Sequence, residues 1–374
     1  MAVESGEWRV EGGLKILFIL LIGGIGVQTI YAKKDTTAVI AKKETKKVAV
    51  KDTTIKAVEK EETVVKVDGV LEVGFDNQYR YIEYKQNKRT TYNRLGKAEV
   101  DISLRPVKKV RAEIGFEYNH KDSLFAIDKL YGQYNIANFS MARFGYMKKS
   151  FGLEEKAGLD ERYFHKRSII NDSLEYFGFL GHDLTLQYRH ELGKKLELRG
   201  GFSWTEDSLR YLQNYSVEYD DKKNNLLLAA IIRHYLPPGE DAIITYISSL
   251  SYKRTDKLFA SEAELTYGTN PAIKVYENRQ ATIFGARLKE NFFINTGLNT
   301  LQQVIPVAEA VIYSSDVKKD STDFDTQFRT GLTLGFAKKS SFQWRNNYGI
   351  VYKIKEGKKE LWRRRFDSEV VIVF

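Results

Sequence analysis

The sequence predicts an all-β fold, a transmembrane antiparallel β-barrel of sixteen strands over residues 67–374. Apolar and polar residues alternate in run after run towards the C-terminus, glycine recurs at the polar positions, and aromatic residues concentrate at the ends of the runs. The chain has 23 Tyr and 21 Phe but only 5 Pro and no Cys. This composition suits a β protein of the bacterial envelope, and the lack of Cys excludes disulfides and thiolate metal sites.

The first element is an N-terminal apolar segment. The stretch "LKILFILLIGGIGVQTIYA" at residues 14–32 has one lysine, a short apolar core and a small residue at its end. That order is typical of a secretory signal peptide, so we predict a signal peptide over residues 1–32, cleaved after Ala32. The acidic residues before Leu14 are unusual for such a peptide, and a membrane anchor is the alternative.

The second element is a leader that we do not expect to fold. Residues 33–66 consist mainly of Lys, Thr, Val, Ala and Glu, contain no aromatic residue and keep no regular apolar period. Such a segment cannot bury enough apolar surface to order itself, which predicts a disordered periplasmic leader. Its positive charge leaves two readings open, a solvated tether or a contact with anionic peptidoglycan or lipid.

From residue 67 onward the alternation has the two-residue period of a β-strand. The run "KAEVDISLR" at 97–105 and the last run, "SEVVIVF" at 368–374, each have one apolar face. Membrane-facing positions predicted from this register are Val100, Ile102, Leu332, Leu334, Val370 and Ile372. A soluble sandwich would show a similar alternation, but glycine-rich polar faces and aromatic strand ends favour a membrane barrel, with Phe374 at the interface.

The strand count follows from the connections. Seven short segments are predicted as periplasmic turns: RPVKK, NIAN, HELGKK, LPPGED, YGTNPA, INTGLN and AKKSS. Longer joins are predicted around residues 85–92, 119–123, 152–179, 205–223, 253–257, 278–281, 314–324 and 354–362. Seven turns and eight loops give sixteen strands, of which those near residues 272–279 and 281–292 have the weakest patterns. Sixteen strands leave an open lumen.

The lumen faces carry more basic than acidic side chains in this register. The basic set includes Arg111, Arg143, Lys149, Arg199, Arg329 and Arg345, and the acidic set includes Glu99, Asp101, Glu113, Glu262 and Glu264. Rings of basic residues favour anions, so we predict an anion preference. The alternative is a lumen whose charges neutralise one another in pairs.

One loop resembles a known family. "FGLEE" at residues 151–155 and "RYFHKRSIINDSL" at residues 162–174 are similar to the phosphate- and polyphosphate-selective porins, the O and P porins. The resemblance implies a trimer of sixteen-stranded barrels in which loop 152–179 folds inward as a constriction. It also implies that lysines and arginines of this loop contact anions, and Lys149, Arg162, Lys166 and Arg167 match those positions.

Other functions lack motifs. We found no G-x-S-x-G, no H-E-x-x-H and no phosphate-binding loop, and no Ser lies within two residues of the outward-facing His234. We therefore expect no enzyme activity, no metal ion, no cofactor and no nucleic acid partner. The expected protein is a diffusion channel for small anions in the outer membrane of a Gram-negative-type bacterium, in contact with lipid and lipopolysaccharide. A general small-solute porin and a structural or adhesive barrel are the alternatives.

Overall fold

The computed structural model describes eleven segments of the chain, all within the predicted barrel region or at its start. They are residues 64–82, 85–119, 124–157, 163–164, 167–205, 210–235, 242–271, 281–317, 323–336, 342–355 and 358–373. The predicted signal peptide, residues 33–63 of the predicted leader, and Phe374 lie outside these segments. No helix in the described segments is long and apolar enough to cross a bilayer.

Sixteen β-strands make up most of the described chain. The first eight are β1 (Val64–Ile82), β2 (Lys85–Val107), β3 (Val110–Asn119), β4 (Leu124–Ala137), β5 (Ser140–Lys148), β6 (His182–Leu192), β7 (Leu196–Trp204) and β8 (Arg210–Asp220). The others are β9 (Asn224–Tyr235), β10 (Ile243–Thr255), β11 (Phe259–Thr269), β12 (Thr282–Phe292, extended by Ile294–Asn295), β13 (Gln303–Ser314), β14 (Phe324–Gly335), β15 (Phe342–Lys355) and β16 (Lys358–Val373). Two short helices, α1 (Leu153–Lys156) and α2 (Ile169–Tyr176), lie between β5 and β6.

The strands form one closed antiparallel sheet. Each strand pairs with its neighbours in sequence, and β1 pairs with both β2 and β16, so that Val70 lies opposite Val373. Closure leaves no strand edge unpaired, which is the condition for a sheet to span a bilayer. The predicted all-β antiparallel barrel of sixteen strands is confirmed.

The two ends of the barrel differ. At the turn end lie the start of β1, the end of β16 and connections such as Lys108–Lys109 between β2 and β3. At the loop end lie the other connections, including the long one between β5 and β6. The chain ends on the same side as the short turns, as an even number of strands requires.

Exposure along the strands follows the predicted faces. Phe328 and Leu332 of β14 are 50% and 40% exposed, whereas Thr333 and Arg329 on the other face are buried. Outward-facing aromatic residues form two bands, one near each end of the barrel. The turn-end band includes Tyr134, Phe139, Tyr188, Tyr219, Tyr252 and Phe292, and the loop-end band includes Phe125, Trp204, Tyr246 and Tyr267. An apolar outer face with aromatic bands is the pattern of a membrane-spanning barrel.

Several predicted strand boundaries were wrong, although the predicted number of strands was right. Strand β8 (Arg210–Asp220) lies within residues 205–223, which were predicted as a loop, and β2 continues through residues 85–92. The polar composition of both stretches concealed the strands, which are stabilised by their ladders with β7, β9 and β1. The predicted strand at 272–279, which lies outside the described residues, had compensated for the missing β8 in the count.

Three connections were also predicted at the wrong end of the barrel. The connections from β9 to β10 and from β11 to β12, predicted as the turns LPPGED and YGTNPA, belong to the loop end. The connection from β10 to β11, predicted as the loop 253–257, is a tight turn at the turn end, where the Asp256 amide donates to the Phe259 carbonyl. The predicted leader is shorter at its C-terminal end, because Val64–Lys66 already pair with β2.

Candidate functional site

The segment between β5 and β6 folds into the lumen. We call its described residues, 149–157, 163–164 and 167–181, the inner loop. It packs against the lumen faces of β8 to β15 through an apolar cluster. The inner loop contributes Phe151, Ile169, Ile170, Leu174, Phe179 and Leu180, and the wall contributes Leu212, Ala229, Ile231, Ile247, Ile283, Val311, Tyr313 and Val351. Apolar residues on the lumen face of the β8–β15 wall therefore serve to hold the loop.

Two glycines permit the close approach of the loop to the wall. A side-chain carbon at Gly285 of β12 would lie 2.8 Å from the end of Ile170, so any larger residue there would force Ile170 to shift. Gly152 has a φ of 66°, and a side-chain carbon there would meet the Glu264 carboxylate at 2.7 Å. The start of α1 is thereby held against β11, where the Leu153 amide donates to Glu264.

A buried ionic cluster anchors the same loop. Glu154 of α1 lies 3.4 Å from the Arg329 guanidinium and 4.0 Å from that of Arg287. Glu154 also accepts hydrogen bonds from the amide and the hydroxyl of Ser168, the N-cap of α2. The two arginines are bonded to wall carboxylates as well, with Arg329 2.5 Å from Glu309. Paired and hydrogen-bonded charges of this kind are tolerated in a buried setting, whereas a single unpaired charge is not.

The loop carboxylate remains ionised in the cluster. Burial raises the pKa of Glu154, but Arg287, Arg329 and the hydrogen bonds from Ser168 outweigh that effect and lower it to about 2. Protonation of Glu154 would leave the two guanidinium groups with less compensation. Ionised Glu154 therefore stabilises the docked loop at pH values above the ordinary pKa of a glutamate. This stabilisation is lost as the pH falls towards 2.

A cavity remains on the opposite side of the loop. It has a volume of about 630 Å³ and lies between the inner loop and the wall formed by β1 to β7. Seven basic and six acidic residues line it: Lys66, Lys129, Arg143, Lys148, Lys149, Lys156 and Arg199, with Asp68, Glu99, Asp101, Glu113, Asp128 and Glu155. The inner loop thus divides the lumen into a filled half and a polar half that contains the cavity.

Three of the predicted residues line this cavity. Arg143 donates to the amide oxygen of Gln133 at 2.9 Å and lies over the Tyr131 ring. Lys149 is buried and hydrogen-bonded to Asp183, and its burial lowers its pKa even though Asp183 opposes the shift. Arg199 is bonded to two glutamates and to the hydroxyl of Ser150.

Four other predicted residues lie elsewhere. Arg111 bonds Glu113 at 2.8 Å on the same wall, and Arg167 bonds Glu155 at 2.8 Å. Arg329 belongs to the buried cluster, and Arg345 is almost completely buried, 3.5 Å from Glu369. The face of each strand could be read from the alternation, but which half of the lumen the loop fills could not. Arg162 and Lys166 lie outside the described residues.

Ion pairs dominate the cavity wall. Lys129 contacts Asp101 at 2.8 Å and Glu113 at 2.9 Å, and Tyr131 donates to the same Glu113. Pairs of this kind cancel much of each other's field. The near balance of seven basic and six acidic side chains resembles the alternative reading of the sequence, in which lumen charges neutralise one another.

The structure also contains a contact between a serine and a histidine that lie far apart in the sequence. Ser140 Oγ lies 2.7 Å from His190 Nδ1 on the outer face near the turn end, and Tyr188 donates to Ser140 at 3.2 Å. The two residues are 50 positions apart and meet only because β5 pairs with β6. Hydrolase triads need a third group that orients the imidazole, and among the described residues no carboxylate or amide contacts the other nitrogen of His190.

The described segments contain no group of three His, Cys, Asp or Glu residues able to hold a metal ion. The candidate site is the charged cavity beside the docked loop. A closed sixteen-stranded antiparallel barrel with an apolar outer face and an inward-folded loop belongs to the class of outer-membrane-type barrels.

Solved structures of outer-membrane proteins share this fold. In-vitro folded OmpT of Vibrio cholerae superimposes with a TM-score of 0.57 at 12% identity, over 83% of this chain and 98% of that one. The outer membrane channel DcaP of Acinetobacter baumannii gives 0.57 at 11% identity, over 83% and 97%. OmpF of Salmonella typhi, in complex with daunomycin, gives 0.56 at 8% identity, over 83% and 97%.

Sequence comparison adds no family. No protein-family model matches the chain, and no curated protein matches it. At identities of 8 to 12% the similarity to the solved structures establishes the fold alone.

Proposed function

We propose that this protein is a porin of the outer membrane of a Gram-negative-type bacterium, through which small solutes diffuse passively. The observation that carries the proposal is the polar cavity beside the inner loop, enclosed by a barrel whose outer face is apolar. DcaP, which shares the fold, is described as an outer membrane channel. No bond is made or broken; the protein contributes a size limit and an electric field.

We propose further that the channel prefers anions. The lining of the cavity has a small excess of basic residues. The side chain of one of them, Arg143, donates a hydrogen bond to a neutral amide, which leaves its positive charge uncompensated by that bond. Phosphate or polyphosphate selectivity is the narrower form of this proposal and is supported by the resemblance of residues 151–155 and 162–174 to the O and P porins. A general small-solute porin is the broader alternative.

The remaining parts of the proposal concern assembly. We propose that residues 1–32 are a signal peptide and that three barrels associate in a bilayer that contains lipopolysaccharide. One of the solved forms of V. cholerae OmpT is described as a trimer, which supports this assembly. Contact of the Lys-rich leader with peptidoglycan is the second reading of that segment, and a structural or adhesive barrel is the rival function.

Planar-bilayer recording tests the channel and its preference together. We expect an open-channel current and, in a tenfold KCl gradient, a zero-current potential with the sign of a chloride preference. The variant Arg143→Gln should move this potential towards the potassium side, because it removes a cavity charge that is within ion-pair distance of no carboxylate among the described residues. Addition of phosphate should reduce the chloride current if the narrower proposal holds.

The control is Arg345→Gln, which removes the same charge from the buried half of the lumen and should leave the potential nearly unchanged. Because this variant also removes a partner of the buried Glu369, it is recorded only from protein whose heat-modifiable mobility on a gel shows a folded barrel. A barrel that is correctly folded but carries no current would favour the structural function. A potassium preference in the unmodified protein would contradict the anion proposal while leaving the porin class intact.

A further inference from the structure

A second cavity lies at the turn end of the lumen. It has a volume of about 600 Å³ and is lined by residues of β6 to β10, by the β6–β7 and β8–β9 turns, and by Lys156 of the inner loop. Lys156 and Arg199 line both cavities. We call the second cavity the vestibule.

The charge of the vestibule is not balanced. Eight basic residues line it against four acidic ones: Lys156, Arg189, Lys194, Lys195, Arg199, Lys222, Lys223 and Lys253 against Glu191, Glu197, Glu218 and Asp220. The cavity beside the inner loop has seven against six. The excess of positive charge is therefore larger in the vestibule than in the cavity beside the inner loop.

Ion pairs account for the residues deeper in the vestibule. Arg189 bonds Glu191 and Glu197, and Arg199 bonds Glu197 and Glu218. Lys156 is paired with the same Glu218. These three acids and three bases form a network of no net charge. Of the remaining basic residues, Lys253 of β10 lies 3.8 Å from Glu262, which leaves the four lysines of the turns as the main source of the excess.

The lysines of two neighbouring turns supply that excess. Lys194 and Lys195 connect β6 to β7, and Lys222 and Lys223 connect β8 to β9. All four are exposed, and no described carboxylate lies within ion-pair distance of any of them. Lys195 differs from the others, because its ammonium group lies 5.8 Å from the ring centre of the outward-facing Tyr219.

The turn before β9 is built to hold its lysines in place. The carboxylate of Asp220 accepts from the Lys222 amide at 2.7 Å, and Asp221 accepts from the amides of Lys223 and Asn224 at 3.1 and 2.7 Å. These hydrogen bonds lower the pKa of Asp221 and fix Lys222 with a φ of 74°. Both acids are thus engaged by the backbone, and the two ammonium groups project from a defined turn.

We infer that the vestibule is a binding site for small inorganic anions and that Lys194, Lys222 and Lys223 set the charge preference of the channel. This inference rests on the proposed porin function and adds the turn end to the cavity beside the inner loop as a source of its selectivity. Clustered cations at a low-dielectric mouth raise the local concentration of anions. Exposed ammonium groups are screened over about 10 Å at 0.1 M salt and about 3 Å at 1 M, so the preference belongs to low salt.

The test is the combined variant Lys194→Gln, Lys222→Asn and Lys223→Gln, with asparagine at 222 because it tolerates the left-handed backbone. We expect the chloride-to-potassium permeability ratio at 0.1 M KCl to fall by about twofold or more, and to change little at 1 M, since salt already screens these charges there. Recordings from channels inserted in one orientation should also lose rectification at 0.1 M, because the charge is confined to one mouth.

The matched control is Lys257→Gln, which removes an exposed lysine from the neighbouring turn between β10 and β11 at the same end of the barrel; Lys257 lines neither cavity. It should change the ratio much less than the combined variant does. Heat-modifiable mobility on a gel confirms that each variant is folded before it is recorded.

Each outcome is decisive. An anion-preferring channel whose ratio and rectification survive in the folded combined variant would overturn the inference and leave the proposed function standing. A channel that prefers potassium before any substitution would overturn the proposed anion preference itself. Equal losses in the combined variant and in Lys257→Gln would show a general surface-charge effect and would overturn the vestibule as the site.

Discussion

At the scale of single residues, the two faces of a strand have opposite requirements. Leu265 in the middle of β11 is 51% exposed and faces outward, whereas its neighbours Glu264 and Thr266 are buried inside the barrel. The same alternation correctly predicts from the sequence that Leu332 and Ile372 face outward. The face on which a strand residue lies can be predicted from a sequence, because it depends only on the two-residue period of the strand.

The variant Leu265→Arg tests whether the outer face contacts lipid. A charged side chain at the bilayer midplane should lower the free energy of unfolding by about 2–4 kcal/mol. The measurement is a denaturant titration of the protein in lipid vesicles, followed by tryptophan fluorescence.

The matched control for that variant is Val70→Arg, since Val70 lines the polar cavity opposite Glu99. We expect little loss there, because the guanidinium would face water and a carboxylate. Similar losses at both positions would contradict the assignment of the faces. Thr333, a lumen-facing position, is a poor control because it is fully buried opposite Arg345.

At the scale of elements, the inner loop is the part of the site that the sequence could not place. Residues 151–155 identified the loop, and its length agreed with an inward fold. The partners that hold it come from β8 to β15 and are distant in sequence, as with the Ile169 amide and the Gln327 side chain, 158 positions apart. The roles of Arg329 and Arg345 were inaccessible for the same reason, because burial depends on which wall the loop covers.

Strand assignment shows a related limit. β8 has outward Tyr211, Tyr215 and Val217, so its alternation was present in the sequence. Its inward positions are mostly polar, however, and a strand that lines water on one face differs little from a polar loop when read alone. The hydrogen-bonded ladders to β7 and β9 show that this segment is a strand.

The pH dependence of loop docking follows from Glu154. Its pKa is lowered to about 2 in the folded protein from an ordinary value of 4.5. A lowered pKa of a carboxyl group contributes stability that is present above the ordinary value and is lost as the pH falls from about 4.5 towards 2. We expect the amide of Ser168, which donates to Glu154, to lose protection from hydrogen exchange over that range.

Exchange followed by mass spectrometry measures this, after correction for the intrinsic rate at each pH. The variant Glu154→Gln should show reduced protection already at neutral pH and no further loss on acidification. Retention of the acid-induced loss in that variant would assign the transition to other carboxyl groups.

At the scale of the whole molecule, the barrel closes without the predicted leader. β1 begins at Val64 and pairs with β16 from Val70 onward, so every strand has two neighbours within the described residues. Deletion of residues 33–63 should therefore leave heat-modifiable mobility and open-channel current unchanged. Gel electrophoresis of boiled and unboiled protein, followed by bilayer recording, makes the comparison.

A matched control for that deletion is a variant in which residues 33–63 are replaced by a Gly/Ser linker of equal length, which keeps the spacing after the predicted signal peptide. If the deletion abolishes the folded band and the linker restores it, the leader acts only as a spacer. If neither the deletion nor the linker variant folds, the sequence of the leader has a structural role.

The position of the inner loop in the chain also constrains the order of folding. The loop precedes β6, yet its apolar side rests on strands up to β15, and its ionic anchors come from β12 to β14. During synthesis and export from the N-terminus, Phe151, Ile170 and Leu174 exist before the surfaces that cover them. Docking of the loop must therefore follow assembly of the C-terminal half of the sheet, and until then these side chains are an exposed, aggregation-prone segment that a periplasmic chaperone would have to shield.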